Sequence, residues 1–214
     1  MRYGIAVPPG ANGAPTPVVY CLHGRGGDER FATETIRLQD FLAAANVNIA
    51  VASVDGGPSS YWHRRKDGTD ALAMVLDEMV PLVDGRYGNG KRAILGWSMG
   101  GYGALLAAER FDAGFHAVVA TSPALWPRFE DSAPGAFDSA GDFAANDVFA
   151  DLGRLNRGNV RIDCGADDPF VQRVRTLRAR LGEPSGAITA GFHDERYWRK
   201  AAAAQVGFLA SHLT

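Results

Sequence analysis

The chain has 214 residues, of which 46% are hydrophobic and 21% are charged, a balance typical of a globular protein. The chain contains 22 Lys and Arg residues and 24 Asp and Glu residues, so the formal net charge is -2. The lack of a basic excess argues against nucleic acid as a partner and favours a small-molecule substrate. The length predicts a single domain, residues 1–214, with a core that needs no disulfide or metal.

Short apolar runs alternate with helix-length segments along the chain. Strands are predicted at residues 2–7, 17–23, 48–54, 92–97, 115–121, 160–164 and 187–190. Helices are predicted at residues 31–45, 70–83 (with Asp70 as cap), 99–110, 170–181 and 196–212. Because parallel neighbours need crossover connections, this order predicts an α/β fold with a mostly parallel central sheet and helices on both faces. Functional residues are then expected at the carboxyl ends of the strands.

Metal, membrane and disulfide signals are weak in this sequence. Cys21 and Cys164 lie in apolar strands and are predicted to be buried free thiols. No spacing of His, Cys, Asp or Glu is typical of a metal site, so neither a metal nor a cofactor is expected. No apolar run approaches the length of a transmembrane segment. Residues 1–9 lack a signal-peptide core, so a cytoplasmic location is the default expectation, while secretion stays open for a trimmed mature chain.

A G-x-S-x-G pattern follows the strand predicted at residues 92–97. Residues 96–103 read GWSMGGYG, and an Ala/Leu-rich helix comes next. In such a pattern, a sharp strand-to-helix turn raises a serine hydroxyl above the sheet. The glycines allow the strand and the helix to approach closely. Ser98 is therefore the predicted nucleophile.

A serine nucleophile needs a histidine base, which in this type of site follows it along the chain. His116 lies at the start of a strand, at the opposite edge of the sheet, and His212 lies near the end of the last helix. His193 follows the strand at residues 187–190, in the loop GFHDERYW. The carboxyl end of a strand is where the site should form, so His193 is the predicted general base.

An acid that orients the histidine is expected after the preceding strand. There the chain reads CGADDPF, which offers Asp167 and Asp168. Asp168 is favoured because it stands fourth in the G-x-x-D turn. Pro169, the next residue, is also typical of the first position of a helix, in which case Asp168 would be only the helix cap. Asp167 stays open as the alternative.

Two backbone amides are predicted to bind the oxyanion that forms when the serine attacks. One belongs to Met99, which follows Ser98 at the helix N-terminus. The other belongs to Arg25, in the loop HGRGGDE that follows the strand at residues 17–23. The glycines of this loop allow a backbone N–H to come close to a substrate oxygen.

These motifs together resemble the esterase D and antigen 85-like branch of the α/β-hydrolases. The likeness extends from HGRGGDER through GWSMGGYGAL and GADDPF to GFHDERYW, nearly the whole chain. It implies an α/β-hydrolase fold and acyl-ester chemistry. The catalytic residues of the family correspond to Ser98, Asp168 and His193, and its oxyanion amides to Arg25 and Met99.

The substrate pocket is harder to read from the sequence. His23, Tyr61 and Trp62 are candidate substrate-binding residues, although Tyr61 and Trp62 are equally consistent with packing under a loop. Residues 123–159 are rich in Pro, Gly and Asp and lie where such folds insert a lid or cap. Four aromatic residues of this segment either face substrate or pack onto the domain: Phe129, Phe137, Phe143 and Phe149.

The predicted reaction is hydrolysis of a carboxylic ester through an acyl-enzyme intermediate. An acyltransferase or a thioesterase with the same residues is the main alternative. A non-catalytic binding protein that has kept the fold is a more distant one. Neither the acyl length nor the oligomeric state can be read from the sequence.

Overall fold

A seven-stranded sheet runs through the part of the protein that the computed structural model describes, which is residues 1–8, 11, 14–110, 114–156 and 158–214. The strand order is β1-β3-β2-β4-β5-β6-β7. β1 is antiparallel to β3, and every other neighbouring pair is parallel. The predicted fold class is therefore confirmed. The strands are β1 (Tyr3–Ala6), β2 (Thr16–Leu22), β3 (Ala50–Val54), β4 (Gly88–Trp97), β5 (Ala117–Thr121), β6 (Val160–Gly165) and β7 (Ile188–Thr189).

Helices cover both faces of the sheet, because the side chains of each buried strand alternate between them. Val18, Tyr20 and Leu22 of β2 join the core cluster on one face, and Val19 and Cys21 join the cluster on the other. The α-helices are α1 (Leu38–Ala44), α2 (Ala71–Ala73), α3 (Val80–Tyr87), α4 (Met99–Arg110), α5 (Ala140–Ala145), α6 (Val171–Arg180) and α7 (Glu195–Leu213). α1 and α7 cover one face, and α2, α3, α4 and α6 cover the other.

Two predicted helices are divided in the structure, while two others, α6 and α7, differ from their predicted bounds by one residue at each end. The helix predicted at residues 31–45 is divided into a π-helical turn, Phe31–Ile36, and α1. Arg37 between them has φ of +60°, a left-handed backbone that ends one helix before the next begins. The helix predicted at residues 70–83 continues to Tyr87, with a π-helical stretch, Met74–Met79, between α2 and α3. Asp70 caps it as predicted, since its side chain accepts a hydrogen bond from the Ala73 amide at 3.0 Å.

The bounds of all seven predicted strands differ from the observed ones by one to four residues at an end, and the differences at β4 and β7 are described here. β4 begins at Gly88 instead of residue 92, because Gly88 already pairs with Thr16 of β2. The first residues of β4 are polar and partly exposed. An exposed strand end lacks the apolar pattern on which the prediction depends. β7 has only two residues, Ile188 and Thr189, where four were predicted.

Both cysteines are free and buried, as predicted. Burial raises the pKa of the Cys164 thiol to about 12 and also raises the pKa of Cys21. Both thiols therefore stay protonated at neutral pH, which makes them poor nucleophiles. Among the helices of the described ranges, none is both long enough and apolar enough to cross a membrane.

A buried carboxyl at the end of α4 predicts a loss of stability as the pH rises from about 4.5 to about 8. Glu109 is only 7% exposed, and desolvation raises its pKa to about 8 from an ordinary value of 4.5. Between these two pH values, the folded chain therefore keeps a proton on Glu109, whereas the unfolded chain has released it. The stability contributed by protonated Glu109 is complete below about pH 4.5 and falls as the pH rises toward 8.

Replacing Glu109 by glutamine should remove this dependence. From pH 5.5 to pH 8, the free energy of unfolding should fall further in the wild type than in Glu109→Gln. We expect the difference between the two decreases to be at least about 1 kcal/mol. Glu78→Gln, at an exposed helical position, is the matched control and should follow the wild type. The measurement is urea unfolding at both pH values. Parallel curves for the wild type and Glu109→Gln would show that Glu109 is ionised in the folded protein.

Candidate active site

Ser98 lies at the turn between β4 and α4 with its backbone held in the left-handed region. Its φ is +54°, which side-chain-bearing residues seldom adopt. The Ser98 amide donates to the Thr121 carbonyl at 2.9 Å, and the Ser98 carbonyl accepts from the amides of Tyr102 and Ala124. These bonds to β5, α4 and the chain beyond β5 maintain a strained conformation that would otherwise relax.

Glycines allow this turn to form because nothing larger fits beside it. A Cβ atom added to Gly96 would lie 2.0 Å from the Gly100 carbonyl oxygen. One added to Gly100 would lie 1.9 Å from the carbonyl oxygen of Leu22 in β2. Both distances are far shorter than any real contact, so the G-x-S-x-G pattern is a steric requirement of this strand–helix approach.

Ser98, His193 and Asp168 form one hydrogen-bonded chain, although they come from three separate loops. The Ser98 hydroxyl lies 2.8 Å from His193 Nε2, and His193 Nδ1 lies 2.7 Å from an Asp168 carboxylate oxygen. An ionised carboxylate can only accept, so Nδ1 carries the imidazole proton. Nε2 is then free to accept the proton of the serine hydroxyl.

Of the two candidate acids, Asp168 is the one that contacts His193. Asp168 is 2% exposed, and its second carboxylate oxygen accepts from the Phe170 amide at 2.9 Å. Asp167 is exposed, and its amide donates to the Gly191 carbonyl. α6 begins at Val171, and no side-chain hydrogen bond caps it. The interpretation of Asp168 as a simple helix cap is therefore wrong, and its bond to the Phe170 amide belongs to the turn before the helix.

The loop of His193 is anchored by α7, which begins two residues later. Asp194 caps this helix by accepting from the Tyr197 amide at 2.8 Å. Gln205, fully buried on α7, donates to Thr121 of β5 at 2.8 Å and to Asp163 of β6 at 3.1 Å. These two hydrogen bonds fix α7 against β5 and against β6, the strand that Asp168 follows.

The two segments that carry the predicted oxyanion amides lie next to Ser98. Met99 is the first residue of α4, so its N–H has no partner within the helix. The Gly24–Arg25 segment passes next to the serine, since a Cβ on Gly24 would lie 3.5 Å from Ser98 Cβ. The bond from the Gly26 amide to the Pro58 carbonyl, at 2.8 Å, holds the far side of this loop.

A cleft of about 890 Å³ opens above Ser98. Tyr61 lines it as predicted and is held there with φ of +50°. Desolvation raises the pKa of the Tyr61 phenol, so it remains neutral and can donate a hydrogen bond. The remaining lining residues are Gly24, Arg25, Phe31, Ala124, Trp126, Asp131, Ser132, Ala133, Pro134, Phe170, His193, Asp194, Glu195, Arg196 and Trp198.

His23 and Trp62, the other two predicted substrate-binding residues, are not on the cleft wall. Both are almost completely buried, and the Trp62 indole fills a space between Gly56 and Gly103. Trp62 Nε1 donates to the His23 carbonyl, while His23 Nδ1 donates to the Gly24 carbonyl and Nε2 accepts from the Gly56 amide. Burial also lowers the pKa of His23 and keeps it neutral. These side chains support the loop that carries Arg25.

Residues 123–159, of which residue 157 lies outside the described part, form one wall of the cleft. Trp126 and residues 131–134 face the cleft. The four phenylalanines of the segment pack onto the domain, with Phe137 and Phe149 buried and Phe129 and Phe143 beside the same core. Its action as a lid or cap remains a prediction.

Sequence reasoning missed the aromatic side chains around the histidine. The rings of Phe170 and Trp198 lie 5.2 and 5.3 Å from the His193 ring, and Phe31 contacts Trp198 at 5.9 Å. Phe170 and Trp198 cover part of the imidazole and shield it from water. The sequence carries a signal for these contacts, since both aromatic residues lie close to predicted catalytic residues. Phe170 comes two residues after Asp168, and Trp198 comes five residues after His193.

Solved structures of other proteins share this fold. A ferulic acid esterase is 22% identical, with a TM-score of 0.81, over 99% of this chain and 92% of that chain. An S-formylglutathione hydrolase from Agrobacterium tumefaciens is 19% identical, with a TM-score of 0.79, over 99% and 90%. MPT51 from Mycobacterium tuberculosis is 15% identical, with a TM-score of 0.74, over 99% and 93%. The fold is that of the α/β-hydrolases.

The particular family is shown by the sequence itself. Residues 1–209 match the profile of the family described as putative esterases. The chain therefore belongs to that family, and it is a hydrolase. The resemblance inferred from the HGRGG, GWSMG, GADD and GFH motifs is confirmed.

Proposed function

We propose that the protein hydrolyses carboxylic esters by means of a Ser98–His193–Asp168 triad. The observation that carries the proposal is the continuous hydrogen-bonded chain, with 2.8 Å from Ser98 to His193 and 2.7 Å from His193 to Asp168. Its members stand at three strand ends that meet at one edge of the sheet. A nucleophile, a base and a group that orients the base are what acyl transfer requires.

In the first half of the reaction, the Ser98 hydroxyl oxygen attacks the ester carbonyl carbon while His193 Nε2 takes the hydroxyl proton. The carbonyl oxygen becomes an oxyanion, which the amides of Arg25 and Met99 bind. Asp168 stabilises the imidazolium without taking its proton. The C–O bond to the alcohol then breaks, and His193 returns the proton to the leaving oxygen. Ser98 is left acylated.

In the second half, water replaces the alcohol. His193 removes a proton from the water, whose oxygen attacks the acyl carbon, and the same amides bind the new oxyanion. The bond to Ser98 breaks, the acid is released, and Ser98 recovers its proton from His193. An alcohol in place of water would give transfer instead of hydrolysis.

Burst kinetics with p-nitrophenyl acetate test this proposal. If an acyl-enzyme forms and its hydrolysis is slower, p-nitrophenol should appear in a burst equal to the enzyme concentration, followed by a linear phase. The steady-state panel should include methyl ferulate and S-formylglutathione, because two of the structural relatives bear the corresponding names. Added alcohols measure the share of transfer.

Two results would contradict the proposal. Turnover that is inhibited by chelators and insensitive to fluorophosphonates would point to a different chemistry. Complete inertness toward oxygen esters and thioesters, together with tight binding of these compounds, would favour the non-catalytic alternative.

A further inference from the structure

The cleft above Ser98 has two chemically different sides. On one side it is lined by Tyr61, Ala124, Trp126 and Phe170. The cleft also shares Arg25 and Glu195 with a second depression of about 430 Å³, whose lining includes Glu34 and the aromatic Phe31 as well. Within the described residues these three charged side chains have no ion-pair partner.

An ester placed across Ser98 must direct its two halves to these two sides. An apolar acyl chain gains free energy against aromatic side chains and gains none against unpaired charges. The charged side is therefore suited to the alcohol half, and the aromatic side to the acyl half.

Trp126 also lines a second, much smaller space, which is only partly enclosed and which we call the internal space. That space is only about 10 Å³, and its lining includes Tyr102, Phe137, Phe143 and Phe149. Trp126 and Ala124 line both the cleft and the internal space. A space of this size holds one water molecule at most, so no part of a substrate enters it while the indole is in place.

The indole is held in this position by aromatic contacts on several sides. Its ring lies 5.2 Å from Tyr61, 5.3 Å from Phe170 and 6.2 Å from Phe137. Pairs in edge-to-face or tilted arrangements at these distances are favourable. Trp126 is therefore a fixed end wall between the serine and an apolar interior.

We propose that Trp126 is the specificity-determining residue for acyl length, closing the acyl side of the cleft so that only short acyl chains are fully bound. The inference rests on the proposed esterase function. Removing the indole joins the cleft to the internal aromatic space, so that chains which stop at Trp126 in the wild type continue inward. Each further methylene that becomes buried should then raise kcat/KM by up to about fourfold.

The experiment is a p-nitrophenyl ester series from acetate to octanoate, in which the alcohol half stays constant. For the wild type, kcat/KM should stop rising by butyrate. For Trp126→Ala, we expect the ratio of kcat/KM for octanoate to that for butyrate to rise at least about tenfold. Trp126→Phe, which keeps an aromatic wall, should remain near the wild type.

Phe143→Ala is the matched control. It enlarges the internal space behind the indole without opening it to the cleft, so the acyl-length profile should change less than about threefold. Added to Trp126→Ala, the same change should extend the profile further. Trp126→Leu provides a smaller opening if the alanine variant does not fold, and thermal unfolding identifies which variants are native.

The inference is overturned if a folded Trp126→Ala or Trp126→Leu cleaves acetate but keeps the wild-type profile. It is also overturned if Phe143→Ala alone shifts the profile as much. In each of these cases the enzyme still turns over esters, so failure of the inference is distinct from failure of the proposed function.

Discussion

Replacing Ser98 by alanine is expected to lower kcat for p-nitrophenyl acetate by about 10⁴- to 10⁶-fold. The reason is that the alanine side chain has no oxygen with which to attack, and His193 then has no nucleophile to activate. The oxyanion amides and the cleft remain, so a small residual rate is expected. The fold should be unaffected, because the bonds that hold this turn come from the backbone of residue 98.

Ser122→Ala is the matched control for this variant. Ser122 is also buried, also follows a strand and also has a left-handed backbone, with φ of +48°. Its amide bonds to the Asp163 carbonyl, and it has no place in the chain from Ser98 to Asp168. Activity within about tenfold of the wild type is expected for it. Comparable losses in both variants would mean that the effect of Ser98→Ala is structural.

The second large effect is expected at the acid. Asp168→Asn should reduce kcat by about 10⁴-fold, since an amide can donate to His193 Nδ1 and so favour the wrong imidazole tautomer. Asp167→Asn, at the exposed neighbouring position, should change kcat by no more than about twofold. The two variants differ by one position and have the same change in charge, so net electrostatics cannot explain a difference between them.

A loss of activity in Asp167→Asn with an active Asp168→Asn would reverse the assignment of the acid. Equal and moderate losses would show that His193 is oriented mainly by its packing between Phe170 and Trp198. The measurement is kcat for p-nitrophenyl acetate, with circular dichroism as the control for folding.

The location of the site could be predicted from the sequence because it follows from steric and topological rules. Gly96 and Gly100 are required wherever a strand and a helix approach this closely, and they mark Ser98. The carboxyl ends of parallel strands meet at one edge, so residues after separate strands were expected to be close together. His193 lies there as predicted, 95 residues beyond Ser98.

The direction of individual side chains could not be predicted in the same way. Asp167 and Asp168 differ only in the turn that directs one carboxylate to His193 and exposes the other. Tyr61 and Trp62 are adjacent aromatic residues with similar left-handed backbones, yet one lines the cleft and the other is buried under it. Composition and periodicity carry no information that separates such neighbours.

The end of the cleft depends on contacts between distant parts of the chain. Trp126 is positioned by Tyr61, Phe137 and Phe170. Tyr61 and Phe170 are far from Trp126 in sequence, and Phe137 is far from both of them. The irregular segment around it has no hydrophobic period from which these contacts could be read. This is why the wall that we propose to limit acyl length is visible only in three dimensions.

The central claim is that Ser98 is a nucleophile activated by His193, and covalent labelling tests it most directly. The protein is incubated with a fluorophosphonate and digested, and the modified peptide is identified by mass spectrometry. We predict a single adduct on Ser98, strongly slowed labelling in His193→Ala, and none at that position in Ser98→Ala. An unlabelled native protein, or an adduct on another serine with Ser98 unmodified, would contradict the account.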